Sequence, residues 1–425
     1  MHRGDKIIRI RYFFLLCICC SLSLAFPGAA QAHVDDFPII GVLHTGGHPE
    51  ALAVDTQTHM LYIASEGLGQ VTGFDPIGGS VRWRANLGNS VVDIQADSTN
   101  HHVYAISAPP RSRQNDLFII DGTNGHILSQ LPTGSGDGSI ALDARRQRAY
   151  VSDTGTNTIF VFTFLTGWQS GTIRTQVTQW HIGSHPLAMG VNSRLGRLYI
   201  ADSAEHKVTV VDEDSGHTIS SLEVADLPVA PLRVDETSGR VYLVCAQGQE
   251  LDTIDGNTNT LIAHTPITPY PEGVAFNTAT GRIYVANEGD PESRGKQIPS
   301  DTITVIDRQS LDVLGTFRVG PTPDGVEADP ALHRVYIALE DSGAVVELSD
   351  STDIALKVDS TTGQVIVARQ TLSVLRQATT VVLMAMLLTV VGATLLALLP
   401  RWRARGSPQT AQDAESARSE QHSLR

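Results

Sequence analysis

Cysteine is scarce in this chain of 425 residues, which contains only four. Three of them, Cys17, Cys19 and Cys20, lie in an apolar run near the N-terminus. If that run is cleaved off as an export signal, Cys245 remains alone and no intramolecular disulfide can form. The sequence therefore excludes a small disulfide-stabilised domain, and the stability of the fold must come from a hydrophobic core.

Well-known catalytic signatures are also missing. The sequence contains neither the GxSxG turn of serine hydrolases nor the HExxH pair of zinc peptidases. Its glycine-rich stretch at 134–138 lacks the lysine of a phosphate-binding loop. Without a CxxCH segment, covalent attachment of c-type haem is excluded. These absences favour a binding protein over an enzyme.

Positive charge is outnumbered throughout the central part of the chain. The whole sequence has a formal net charge of −14, but residues 1–32 contribute +3 and residues 401–425 contribute +2, which leaves −19 between them. A surface this acidic repels phosphate backbones and anionic lipid headgroups. Nucleic acid is therefore disfavoured as a partner.

The N-terminus has the three parts of a secretory signal peptide. Basic residues lie within the first eleven positions, an apolar run covers residues 12–26, and Ala30-Gln31-Ala32 provides a small-residue cleavage site. The apolar run is too short to span a bilayer core of roughly 30 Å. We expect residues 1–32 to be removed after Ala32, with an uncleaved N-terminal anchor as the alternative.

A second apolar run, residues 378–399, contains 22 residues without a charge and is followed by Arg401, Arg403 and Arg405. At about 1.5 Å per residue, this run spans a membrane as one helix, and the arginines favour a cytoplasmic C-terminus. We predict a single-pass protein of the cell membrane with an extracellular N-terminal domain. The tail at 400–425 is predicted to be cytoplasmic and disordered.

Between these ends, one short pattern recurs seven times. Each copy places a tyrosine in an alternating run of apolar and β-branched residues, and successive tyrosines are 42–52 residues apart. This period is that of one four-stranded propeller blade. We predict an all-β fold, a seven-bladed β-propeller of four-stranded blades over residues 33–353, plus one C-terminal transmembrane helix. The tyrosines are Tyr62, Tyr104, Tyr150, Tyr199, Tyr242, Tyr284 and Tyr336.

The sixth unit carries the most regular copy of the repeat. It contains the segments Arg282–Asn287 (RIYVAN), Thr302–Asp307 (TITVID) and 271–275 (PEGVA). These motifs resemble the YVTN-repeat β-propeller family, and the resemblance covers nearly all of residues 38–350. It implies the propeller architecture and no particular function, because members of this family serve many roles.

Two further features of the repeat predict how the propeller is built. Residues 37–43 read as an outer strand that completes the seventh blade and closes the ring, which removes free sheet edges. Residues 354–370 either compete for that place or belong to a hairpin or stalk over 354–377. The third strand of five blades ends in an aspartate that we expect to cap its own turn. These are Asp75, Asp121, Asp212, Asp255 and Asp307.

Acidic residues recur at the predicted entry of the inner strands. Alignment of these strands places Glu50, Glu272 and Asp324 at one equivalent position in blades one, six and seven, which are neighbours in a closed ring. Asp93 of blade two lies one residue away. Carboxylates facing one channel repel each other, and a hard cation such as Ca²⁺ relieves the repulsion. We predict a metal site formed by these four residues, with a solvated acidic mouth as the alternative.

Two matching histidine segments occupy equivalent loops of blades one and four. The first contains His44 and His48, and the second contains His181 and His185. Two histidines in one loop could bind a transition metal. Exposed loop histidines without a metal are the alternative interpretation.

Long insertions at 108–116 and 287–301 share the predicted face of the channel mouth. Binding residues concentrate on loops held by a rigid scaffold. We expect a binding module that presents this loop-rich face to a protein, glycan or small-molecule ligand, and we assign no catalytic residue. The alternative is a propeller-type hydrolase or lactonase that holds a divalent cation in the central channel.

Overall fold

The computed structural model describes residues 38–108, 114–136, 138–166, 173–229, 232–267, 270–289 and 301–351, together with the strands at 354–358 and 365–369. Within these residues the chain forms seven four-stranded antiparallel sheets and one two-stranded sheet. The predicted all-β fold, a propeller of seven four-stranded blades, is confirmed.

Strand β1 (Ile39–His44) is the first described strand, and seven blades follow in sequence order. In each of the first six blades, the strands run in sequence from the inner to the outer one. Blade one contains β2 (Pro49–Val54), β3 (Leu61–Ser65), β4 (Gln70–Asp75) and β5 (Ser80–Asn86). Blade two contains β6 (Ser90–Asp97), β7 (His102–Ala108), β8 (Asp116–Asp121) and β9 (Ile127–Pro132). Blade three contains β10 (Ile140–Asp143), β11 (Arg148–Asp153), β12 (Thr158–Thr166) and β13 (Arg174–His181).

Blade four contains β14 (Pro186–Asn192), β15 (Arg197–Asp202), β16 (Lys207–Asp212) and β17 (Thr218–Glu223). Blade five contains β18 (Arg233–Asp235), β19 (Arg240–Cys245), β20 (Glu250–Asp255) and β21 (Thr260–Pro266). Blade six contains β22 (Pro271–Asn277), β23 (Arg282–Asn287), β24 (Thr302–Asp307) and β25 (Val313–Arg318). Blade seven contains β26 (Pro323–Asp329), β27 (Arg334–Leu339) and β28 (Ala344–Ser349), and β29 (Ile354–Val358) and β30 (Val365–Arg369) follow.

The ring is closed by the N-terminal strand. β1 pairs antiparallel with β28 as the outer strand of blade seven, with Val42 opposite Val346 and His44 opposite Ala344. The edge of β28 is therefore covered by a strand from the other end of the propeller. The expected closure is confirmed, while β29 and β30 pair with each other and do not join blade seven.

The segments predicted to meet the membrane lie outside the described residues. They are the signal peptide at 1–32, the transmembrane helix at 378–399 and the tail at 400–425. Among the described residues, no helix is long and apolar enough to cross a bilayer. Export and membrane anchoring stay predictions.

The repeat tyrosines are buried in every blade, and some of them also bond to the next blade. Each lies on the second strand of its blade and is at most 1% exposed. The hydroxyl of Tyr62 donates to the carbonyl of Gly122, and that of Tyr199 donates to the carbonyl of Gly256, both at 3.3 Å and both in the following blade. Arg197, two residues before its tyrosine, donates to the same carbonyl of Gly256. In these two blades the tyrosine hydroxyl satisfies a carbonyl of the next blade, and in all seven blades the tyrosine is buried in the core.

The aspartates that end the third strands have the structural role expected of them. Asp307 Oδ1 accepts hydrogen bonds from the backbone N–H groups of Gln309 at 2.9 Å and Ser310 at 2.8 Å. Such bonds hold the turn into the fourth strand without help from another segment. A carboxylate-to-amide bond within the turn also occurs at Asp75, Asp121, Asp212 and Asp255.

Removal of β1 tests the closure of the ring. A chain that begins at residue 45 should be less stable than one that begins at residue 38, by on the order of 3 kcal/mol, because several ladder hydrogen bonds worth about 1 kcal/mol each are lost. The uncovered edge of β28 should also promote self-association. Thermal unfolding and light scattering would measure the two effects. Equal stability of the two chains would contradict closure by β1.

Candidate functional site

The inner strands of blades six, seven and one pack closely around the central axis. Gly273 and Gly325, which directly follow the aligned acidic residues of blades six and seven, permit this approach. A Cβ at Gly273 would overlap the carbonyl oxygen of Asp324, and a Cβ at Gly325 would overlap that of Glu50. The acid–glycine pairs therefore bring the entries of β22, β26 and β2 against one another.

A cavity of about 390 Å³ opens at this end of the channel. At the inner-strand position of Glu50, Glu272 and Asp324, blades two, three and four carry Val92, Gly138 and Leu187, and all six residues line the cavity. The equivalent residue of blade five, Ala230, lies outside the described residues. The structure thus brings the three aligned carboxylates together at the channel mouth, and a cation bound there stays a prediction.

Three glutamates that the strand alignment missed add to the charge of the mouth. Glu66, Glu288 and Glu340 line the same cavity. Each stands four residues after the repeat tyrosine of blade one, six or seven, where the other four blades carry Ala, Thr, Ser and Ala. Counting from the repeat tyrosines would have found these residues, because the end of the second strand lies beside the entry of the first.

Asp93 differs from the other predicted ligands. Its Oδ1 accepts a hydrogen bond from the backbone N–H of Ile94 at 2.7 Å, and its Oδ2 accepts one from Ile140 of the next blade at 2.6 Å. Burial raises the pKa of Asp93 to about 6, and the two amide donors oppose that rise. Asp93 lines the cavity, but both of its oxygens accept backbone hydrogen bonds, and the one to Oδ2 joins blade two to blade three, which supports a structural role.

An ion pair joins blades five and seven deeper in the channel. Arg233 Nη2 donates to Glu327 Oε2 at 2.9 Å, and Arg233 Nε donates to the carbonyl of Val274 at 3.1 Å. Arg233 and Glu327 occupy equivalent inner-strand positions, at which blades one, three, four and six carry Ala or Gly. Among the described residues that line the cavity, Arg233 is the one base. Glu327 therefore balances the charge of Arg233 within the channel.

Burial and neighbouring carboxylates raise the pKa values of acidic residues at the channel mouth. Burial raises the pKa of Glu272 to about 8, and Glu288 adds to the rise. Burial also raises the pKa of Asp324 well above its ordinary range, with further increases from Glu50 and Glu272. With a pKa of about 8, the Glu272 carboxyl holds a proton near neutral pH. A cation that entered the mouth would replace this proton and pair with the ionised group.

The two histidine segments do not form the metal-binding groups that their spacing predicts among the described residues. His48 Nδ1 lies 3.4 Å from Glu340 Oε1 at the rim, and His185 Nδ1 bonds to Ser203 Oγ at 2.6 Å within its own blade. In the described part of the chain, neither segment belongs to a group of three donor side chains close enough to share an ion.

Comparison with solved structures finds the same architecture in proteins of very different sequence. The β-propeller domain of Cps50 (Swd1) from Myceliophteria thermophila matches with a TM-score of 0.60 and 10% identity, over 74% of this chain and 99% of that one. The chain has the β-propeller fold. A chain in the structure of the Mitotic Checkpoint Complex matches with the same score and identity, over 76% of this chain and 94% of that one. No protein-family model and no curated protein matches, so membership of the YVTN-repeat family stays a prediction.

The raised pKa of Glu272 predicts that the fold loses stability as the pH rises from 4.5 to about 8. Since this pKa is 4.5 for the free side chain and about 8 in the fold, the folded state holds an extra proton between these values. The free energy of unfolding therefore falls as the pH rises through this window. Glu272→Gln should remove part of this fall and, at about pH 9, stabilise the protein by on the order of 1–2 kcal/mol after screening at the mouth.

Thermal unfolding between about pH 5 and about pH 9 would measure the effect. The matched control is Asp312→Asn, which neutralises an exposed carboxyl in the turn between β24 and β25, at the opposite end of the strands. The control should keep the pH profile of the wild type. A Glu272→Gln profile that is also unchanged would show that Glu272 is not confined as described.

Proposed function

We propose that the chain is a membrane-anchored extracellular propeller that binds a cationic group of a partner protein at its channel mouth. The proposal depends on one observation: seven carboxylates, including that of Asp93, line a cavity whose described lining contains a single arginine, itself paired with Glu327. Residues 1–32 and the apolar run at 378–399 support export and anchoring.

The size of the mouth favours an organic cation over a bare metal ion. A volume of about 390 Å³ lies in the range of ligand pockets, whereas Ca²⁺ draws six to eight oxygens to within about 2.3–2.6 Å. A lysine or arginine side chain of a protein would enter such a pocket with complementary charge. The insertions at 108–116 and 287–301 would frame this contact, although residues 109–113 and 290–300 lie outside the described residues.

A divalent-cation-dependent hydrolase or lactonase is the second candidate. The convergence of Glu50, Glu272 and Asp324 on one cavity favours it, because oxygen ligands suit Ca²⁺. The described lining consists of Glu, Asp, Arg, Ala, Leu, Val and Gly. It therefore offers no histidine, asparagine or hydroxyl to act on a substrate, which ranks this candidate below the binding module.

Binding of two probes to the purified full-length protein distinguishes the candidates. An octa-arginine peptide and Ca²⁺ are titrated separately by calorimetry at about pH 8 and about pH 6. We expect the peptide to bind, and to bind at least about tenfold more weakly at the lower pH, because protons compete for carboxyls with raised pKa values.

The double variant Glu272→Gln with Asp324→Asn tests whether the peptide binds at the channel mouth. Its control, Asp214→Asn with Asp312→Asn, removes the same charge from exposed turns at the opposite end of the strands. The mouth variant should bind the peptide at least about tenfold more weakly than the wild type, while the control should bind it with the affinity of the wild type. Binding of Ca²⁺ without the peptide would favour the hydrolase. Equal effects of the two variants, or no binding of either probe, would leave only a solvated acidic mouth.

A further inference from the structure

Three metal-binding side chains meet on the outer half of blade five, away from the channel. Glu250 and Asp252 are two residues apart on β20 and point to the same side of the sheet, and His264 on β21 stands directly opposite Asp252. His264 Nδ1 lies 2.7 Å from Asp252 Oδ1 and 2.8 Å from Glu250 Oε1. The three donor atoms all lie within 4.8 Å of one another, and no other group of three or more such donors occurs among the described residues.

The other six blades provide an internal comparison for these positions. Asp252 is fully buried, and its equivalents in the blade register are Thr72, Phe118, Phe160, Thr209, Thr304 and Val346. The residues equivalent to His264 are Arg84, Gln130, Gln179, Ser221, Thr316 and Val42. A propeller blade therefore needs neither a carboxylate nor a histidine here. Burying a carboxylate is costly unless it is paired or binds a cation, so the departure from the repeat requires a cause.

The Asp252 carboxylate is held so that one oxygen remains directed at the cluster. Its Oδ2 accepts a hydrogen bond from the backbone N–H of Ala225 at 2.9 Å, and the buried Cys245 Sγ lies 3.8 Å from the same oxygen. Oδ1 faces His264. Fixing one carboxylate oxygen so that the other can bind an ion is the usual task of residues that surround a metal site.

The donor set selects the kind of ion. One imidazole nitrogen with two carboxylate oxygens suits Zn²⁺, Co²⁺ or Mn²⁺, whereas Ca²⁺ requires more oxygen ligands and no nitrogen. Tetrahedral ligands at about 2.0–2.2 Å from Zn²⁺ lie about 3.3 Å from one another, so His264 would have to move by about half an ångström. Its side chain is 54% exposed, which leaves room for that movement and for a water at the fourth position.

We propose that Glu250, Asp252 and His264 form a binding site for a divalent transition-metal ion, with Zn²⁺ as the first candidate. The ion takes the place of the proton that His264 Nδ1 otherwise shares with the two carboxylates, and binding releases that proton. The site lies on blade five, whereas the carboxylates of the channel mouth belong to blades one, six and seven. Failure of either proposal therefore leaves the other intact.

Titration of the purified, chelator-treated full-length protein with Zn²⁺ tests the proposal, with Co²⁺ as a spectroscopic probe. We expect one high-affinity equivalent of Zn²⁺, a raised melting temperature, proton release in calorimetry, and visible Co²⁺ absorption bands typical of low coordination number. His264→Gln and Glu250→Gln, which alter exposed or partly exposed side chains, should each weaken binding by at least about tenfold.

The matched control is His101→Gln. His101 Nδ1 also lies 2.7 Å from a buried carboxylate, that of Asp55, but no third donor joins the pair in the described part of the chain. This variant should bind Zn²⁺ as tightly as the wild type. Absence of Zn²⁺ binding by the wild type at millimolar concentration would overturn the proposal. So would tight binding retained in His264→Gln, or Ca²⁺ binding at this site as strong as that of Zn²⁺.

Discussion

The close approach of the first and last blades is the contact on which the candidate site depends. β1 covers β28, and the glycines at 273 and 325 let the inner strands of blades six, seven and one pack against one another. Glu50 comes from the beginning of the propeller, and Glu272 and Asp324 come from its end. Only a closed ring makes their blades neighbours. The acidic mouth is therefore a product of closure and would not exist in any shorter part of the fold.

This arrangement is unfavourable in itself. Ionised carboxyls confined in a cavity repel one another, and burial raises the pKa values of Glu272 and Asp324. The rest of the scaffold compensates with other contacts, such as the hydroxyls of Tyr62 and Tyr199, which donate to the next blade, and the aspartates that cap their turns. A scaffold that tolerates one destabilised region is typical of proteins in which that region binds something.

The repeat carried most of the information that the sequence contains about the fold. Tyrosine spacing predicted seven blades, and alignment of the inner strands predicted that Glu50, Glu272 and Asp324 meet. What it could not predict depends on contacts between blades and on the pairing of strands within a blade. The amides that engage Asp93 and the pairing of Arg233 with Glu327 need the three-dimensional register. The blade-five cluster needs the pairing of β20 with β21. A register shift after Thr253 means that the residue opposite Asp252 cannot be found by counting back from the turn.

Both candidate sites are departures from the repeat, and this gives a general way to read the propeller. A residue that recurs in every blade, like the buried repeat tyrosine, is explained by the packing that every blade needs. A residue that occurs in one or a few blades has no such explanation. Glu at four positions after the tyrosine occurs in three adjacent blades, and the facing Asp252 and His264 occur in one. The other blades carry Thr, Val or Phe at the position of Asp252. Packing therefore does not require the Asp252–His264 pair. The proposed metal site gives this pair a role that packing does not.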